Sequence, residues 1–247
     1  MSLWQKISLS VFIAILVVGL VVVLVVVTPH SSDIKCENIH LQVSDYDQFQ
    51  FISEHDVETQ LKNQGNYPIG HLHSDIDLTA MEQSLEQLNM VKGVTCYFTT
   101  NGDVRVSVTQ RVPMFRVMYD GVDYYVDTDR KRMRTSIRFS AYVPVVTGYV
   151  DFEFASTELY DFIVYLQSES RWRSAFTQIN ICNGSEIELI PRVGDFVVRL
   201  GSLERYESKL EKLDKFLSVL PKYHSWDKYS VINLEFRDQV VCTKRKK

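Results

Sequence analysis

From Ile7 to Val27 the chain reads ISLSVFIAILVVGLVVVLVVV, an uncharged run in which only Ser8, Ser10 and Gly19 are not hydrophobic. A helix of that length reaches about 31 Å, enough to cross the hydrocarbon core of a bilayer. The competing reading is a cleaved secretory signal, whose apolar region is about 7 to 15 residues long with small residues at its end. This run is longer and ends in Thr28 and Pro29. An uncleaved transmembrane helix over 7–27 is therefore expected, with a stub at 1–6 and a linker at 28–35. Lys6 faces His30, Asp33 and Lys35 across the span, so the positive-inside signal is weak. Topology follows from mass instead: everything after the span lies opposite a six-residue stub, and large domains translocate largely regardless of charge.

The chain of 247 residues is 45% hydrophobic and 23% charged, a composition that excludes disorder over most of its length. Its formal charge is −4, but five positives lie at the extremes, Lys6 and the tail Lys244, Arg245, Lys246 and Lys247. Without them, 22 basic residues stand against 31 acidic ones, about −9 for the body. Phosphate backbones are bound by clustered cations that release counterions, so nucleic acid is not an expected partner.

Cys36, Cys96, Cys182 and Cys242 show neither Cys-x-x-Cys pairing nor zinc-finger spacing to His, and no structural metal is expected. Three disulfide pairings are possible, and the sequence does not choose among them or against buried free thiols.

Alternation in Cys36 to Val43 marks a first strand. Ser53 then reads as a helix N-cap, with acids in the first turn and Ile52 placed to staple onto Val57; this helix stops near Gly65. Leu78, Met81, Leu85 and Leu88 form the stripe of a second helix ending around Gly93. Two alternating runs, Val94 to Thr100 and Val104 to Gln110, flank Asn101-Gly102, a pair suited to a type I′ hairpin turn. Strand, helix, helix, strand, strand makes a small α+β domain over 36–112, and Pro113 marks a boundary.

Residues 113–243 are mostly β. Hairpins are expected at Asp120-Gly121 and Asn183-Gly184, with further strands at Val143 to Val150 and Phe196 to Leu200. One helix carries Leu159, Phe162, Ile163 and Leu166. Another carries Tyr206, Leu210, Leu213, Leu217 and Leu220 and closes at Pro221. Ile232, Leu234 and Phe236 then alternate, and Gln239 to Thr243 reads as a terminal strand before the tail 244–247.

Candidate chemistry is sparse. His71 and His73 could form a metal pair, but they enter a helix that Asp75 and Asp77 are better placed to cap. Asp127 and Asp129 match part of a calcium loop without its Gly or Glu, and a hydrated turn is expected. The basic run Arg130 to Arg138 could touch an anionic lipid or polymer, and is expected to be a solvated loop. Nucleophile elbow, phosphate loop and dinucleotide fingerprint are absent from the sequence, so neither catalytic residues nor a cofactor site is assigned.

The order of these features resembles the FtsQ/DivIB family of bacterial cell-division proteins, in its Bacteroidetes-type form. Gln110-Arg111-Val112-Pro113-Met114 is similar to that family's junction motif, with Gln110 in place of an acid. Pro144-Val145-Val146-Thr147-Gly148 is similar to the family's Leu-Pro-apolar-apolar-x-Gly segment, with Val143 in place of Leu, and Leu189 to Gly201 and Ile232 to Thr243 resemble further family phrases. The resemblance implies a POTRA-type domain followed by a β-rich domain. It implies a non-catalytic scaffold in the inner membrane at the division septum, its folded part in the periplasm. Its implied partners are FtsB- and FtsL-type bitopic proteins and, through them, the septal peptidoglycan synthase. Carried over by position, the partner-binding edge is Phe236, Asp238, Gln239, Val240, Val241, Cys242 and Thr243, and the domain junction is Arg111 and Pro113. Two other readings stay open at this point: an anchored cell-wall hydrolase assembled only in the fold, and a factor of outer-membrane protein assembly.

Overall fold

The structure, a computed structural model, describes residues 13–20, 22, 34–182, 185–219 and 228–245. Residues 13–20 and Val22 are helical and exposed. Among the described residues no helix is long and apolar enough to cross a membrane, and the span expected over 7–27 falls largely outside them.

The first domain follows the expected order: β1 (Ile39–Val43), α1 (Glu54–Asn63), α2 (Leu78–Glu86), β2 (Val91–Phe98) and β3 (Val104–Gln110). Its sheet runs β1-β3-β2, with β1 parallel and β2 antiparallel to the central strand. Period-two burial along β3 places Val104, Val106 and Val108 against Val57 and Leu61 of α1 and Met81 and Leu85 of α2. Ser53 caps α1 in a reciprocal capping box with Asp56, and Asp77 caps α2 through the Ala80 N–H.

Two boundaries move. α2 ends at Glu86, and β2 begins at Val91 and runs through Gly93, because Val91 packs in the core and Gly93 sits at a register shift. The Asn101-Gly102 turn is not type I′, since only Gly102 of the pair has positive φ, 90°. The Gly102 N–H donates to Thr99 O and the Thr99 N–H to Asp103 O, closing a three-residue loop.

Nine strands form the second sheet, in the order β12-β11-β10-β9-β8-β7-β4-β5-β6. They are β4 (Pro113–Tyr119), β5 (Val122–Asp127), β6 (Arg132–Arg134), β7 (Val145–Gly148), β8 (Phe176–Cys182), β9 (Glu186–Pro191), β10 (Val197–Gly201), β11 (Tyr229–Asn233) and β12 (Val241–Lys244). Helices α3 (Phe152–Ser156) and α4 (Glu158–Ser168) make the crossover between the parallel pair β7 and β8. Helix α5 (Tyr206–Val219) does the same between β10 and β11. Leu159, Phe162, Ile163, Leu210 and Leu213 from these helices enter one core with Phe115, Val146, Ile179, Leu189, Val198 and Ile232 from the sheet.

Gly148 closes β7 at φ 87°, where a Cβ atom would lie 2.0 Å from Ile181 O, so the close approach of β8 requires glycine there. Asp120 and Gly121 both have positive φ, as an Asp-Gly hairpin turn demands. Asn183 and Gly184 lie outside the described residues, as do Leu220 and Pro221.

The basic run is not a solvated loop. Arg132–Arg134 is an edge strand whose Met133 is fully buried, Arg132 lies over the Tyr124 ring at 4.2 Å, and Arg138 pairs with Asp56. Nor is Asp127 in a hydrated turn. Only 1% exposed, its carboxylate accepts from Arg111 at 2.8 Å and from the Asp129 and Lys131 N–H groups at 2.9 and 2.7 Å. Burial of that charge is tolerable because all its bonds are made.

The two domains meet across an apolar contact. Phe51 of the first domain packs edge-on against Tyr125 and Phe139 of the second, with Met133 and Met90 beside them. Around it lie Arg138 on Asp56 at 2.6 Å and Lys92 on Asp129 at 2.9 Å. Gln110 sits at the junction, 1% exposed. Its amide oxygen accepts from the Ile52 N–H, and its amide nitrogen donates to Ser44 O and Phe49 O, three bonds that a carboxylate in the same place could not all make.

Candidate partner-docking edge

β12 exists because Cys242 has an apolar platform to lie on: its side chain and that of Val240 pack against the core of the second domain, while Val241, Thr243 and Lys244 are exposed. It pairs antiparallel with β11, Ile232 opposite Cys242 and Asn233 opposite Val241. No strand lies on its other flank among the described residues.

Backbone groups alternate sides along a strand. The Arg245 N–H donates to Lys228 O, so Arg245, Thr243 and Val241 face β11. Cys242 and Lys244 therefore turn their N–H and C=O groups to the unpaired flank.

The approach to β12 is held by α5. Lys212 donates to Leu234 O at 3.1 Å and to Phe236 O, fixing the chain as it leaves β11. Lys209, largely buried, donates to Ser202 O at 2.7 Å, and burial pushes its ammonium pKa down. Burial likewise raises the Cys242 thiol pKa, which keeps it neutral. Beyond β12, Arg245 folds back onto Asp195.

The residues expected to form the edge do not all lie on it. Val241, Cys242 and Thr243 are in β12, and Lys244 completes the strand. Phe236, Asp238, Gln239 and Val240 form the connection from β11, which ends at Asn233, so neither Leu234 nor Phe236 continues the strand. The reason is local: the Asn233 side-chain oxygen accepts from the Glu235 N–H at 2.8 Å, starting a turn. Lys244 was hidden by its charge, which reads as tail. The junction residues do meet other elements: the Arg111 N–H donates to Met90 O and its guanidinium binds Asp127, while Pro113 opens β4 where a missing donor is harmless.

Elsewhere, the Nε2 of His73 lies 2.6 Å from Gly102 O, and its ring stacks on Phe98 at 4.1 Å. Among the described residues no group of three or more His, Cys, Asp or Glu side chains could hold a metal. All four cysteines are free thiols; burial and the nearby Glu82 raise Cys96 to about 12.

Residues 34–109 match the model of a POTRA-like domain, and residues 112–243 that of the family described as FtsQ/DivIB, C-terminal related. No curated protein matches the sequence. The second match covers more than half of the chain and spans the sheet that ends in β12, and the first covers the domain that precedes it: the chain belongs to the FtsQ/DivIB family of cell-division proteins.

Proposed function

We propose that this protein is a non-catalytic scaffold of the division machinery, anchored in the inner membrane by the run Ile7 to Val27 with both folded domains in the periplasm. On this reading, a bitopic FtsB-type partner adds a strand to β12, an FtsL-type protein joins the assembly, and the complex helps to recruit and regulate septal peptidoglycan synthesis. The observation that carries the reading is that β12, among the described residues, is paired on one flank alone. Unpaired strand edges need shielding or a partner, and an added strand satisfies them while alternate side chains set specificity.

The test is Lys244→Pro in the full chain. It removes an outward N–H whose residue is exposed and does not donate to β11, so folding should persist while docking fails. Co-purification of the FtsB-type partner from membranes is the measurement. Retention of that partner by the variant at wild-type level would refute strand addition at β12.

A further inference from the structure

A cleft of about 530 Å³ opens where three adjacent strands, β4, β7 and β8, begin. Met114, Val145 and Phe176 give it an apolar floor, and Arg173, Arg192 and the exposed Tyr142 stand at its rim. Among the described residues no carboxylate lines it. Both arginines are held by their Nε groups, Arg173 on Gln167 O and Arg192 on Ser174 O, each at 2.8 Å. Arg192 also donates to the Tyr142 hydroxyl at 2.6 Å.

These contacts fix the guanidinium groups without neutralising them. Several arginines elsewhere are paired with acids, among them Arg111 with Asp127, Arg116 with Asp123, Arg130 with Asp161 and Arg199 with Glu188. At this cleft the anchors are neutral carbonyls and a phenol, and the terminal amines of Arg173, with one of Arg192, have no partner among the described residues. Anchored arginine forks match carboxylates in geometry and charge. An apolar floor of this size suits a ligand with side chains better than a bare anion.

We propose that the cleft is a second docking site, which takes an acidic, partly apolar peptide segment of a partner protein, its carboxylates on Arg173 and Arg192 and its apolar side chains on the floor. The site is independent of β12, five strands away from β7 in the sheet order.

The experiment is fluorescence anisotropy on the detergent-solubilised full chain. Its probe is a fluorescein-labelled octapeptide carrying three glutamates and two leucines, with the glutamine counterpart and citrate as comparisons. The glutamate peptide should bind saturably, and the glutamine peptide at least about tenfold more weakly, the scale of a lost charged hydrogen bond. Arg173→Gln and Arg192→Gln should each weaken binding by a similar factor. Thr177→Glu, at an exposed position of the lining, should do the same by placing a carboxylate in the cleft, with the wild-type melting temperature as its control of folding. Lys244→Pro should leave peptide binding unchanged. Equal binding of the two peptides, or indifference to the three cleft variants, would overturn the proposal. So would displacement by an equal concentration of citrate, which would mark a simple anion site, or loss of binding in Lys244→Pro, which would move the peptide to β12.

Discussion

At one end of the nine-stranded sheet, β6 offers three residues, Arg-Met-Arg, and the first domain closes over the middle one. The Arg134 N–H donates to Asn89 at 2.5 Å, and Met133 disappears beneath Phe51. At the other end β12 has four residues, of which Val241, Thr243 and Lys244 are exposed, and no strand covers its flank among the described residues. Both edges carry the charge and brevity that discourage casual pairing. Among the described residues only one is closed by the chain's own structure, and the other is the edge to which the proposed function assigns a partner's strand.

The sharpest way to break the comparison is to open the closed end. Tyr125→Ala removes a fully buried ring that touches Phe51 and whose hydroxyl accepts from the Ala141 N–H. Urea unfolding should show a loss of about 3–5 kcal/mol, the range for buried aromatic truncation. Gln110→Glu is the next largest. It deprives Ser44 O and Phe49 O of their donor and should cost about 1–3 kcal/mol at neutral pH. The new carboxyl is favoured in its neutral form there, so its folded pKa is raised; the variant should be most stable below the usual glutamate range and lose stability as pH rises from that range through the raised folded value.

Asp56 should behave in the opposite sense and by less. Burial disfavours its charge, yet hydrogen bonds from Arg138 and Ser53 outweigh that and hold its pKa below the ordinary aspartate value. A depressed folded pKa stabilises above the unfolded value, and that contribution is lost as pH falls below about 4. Arg138 is more than half exposed and Asp56 only partly buried, so solvent screens the pair, and Asp56→Asn should change stability at pH 7 by about 1 kcal/mol or less and flatten acid denaturation curves. Smallest of all in stability is Lys244→Pro, within about 0.5 kcal/mol for a surface change, although its effect on docking should be complete.

The closed end was the less legible one in the sequence. The order of the first domain follows from periodicity and caps, because Ser53, Asp77 and the β3 valines act locally. β6 does not, since two arginines around one methionine read as loop until a second domain supplies Phe51 to bury Met133. α3 is equally invisible, only five residues long and distinguished by its Asp151 cap. At the open end the terminal strand was legible but its limits were not. Val240 extends an apolar run, yet the backbone enters the ladder only at Val241, and Lys244 stays in it because pairing depends on backbone geometry rather than side-chain polarity.

The alternation of β12 has a quantitative corollary. Two outward residues provide two N–H and two C=O groups, so an added strand gains at most four backbone hydrogen bonds at this edge. At roughly 0.5–1.5 kcal/mol each, these sum to about 2–6 kcal/mol, which on its own holds a free peptide with a dissociation constant between tens of millimolar and tens of micromolar. A ligand of this edge must therefore arrive already concentrated, and tethering both molecules to one bilayer would raise their encounter frequency enough to convert a feeble grip into a lasting one.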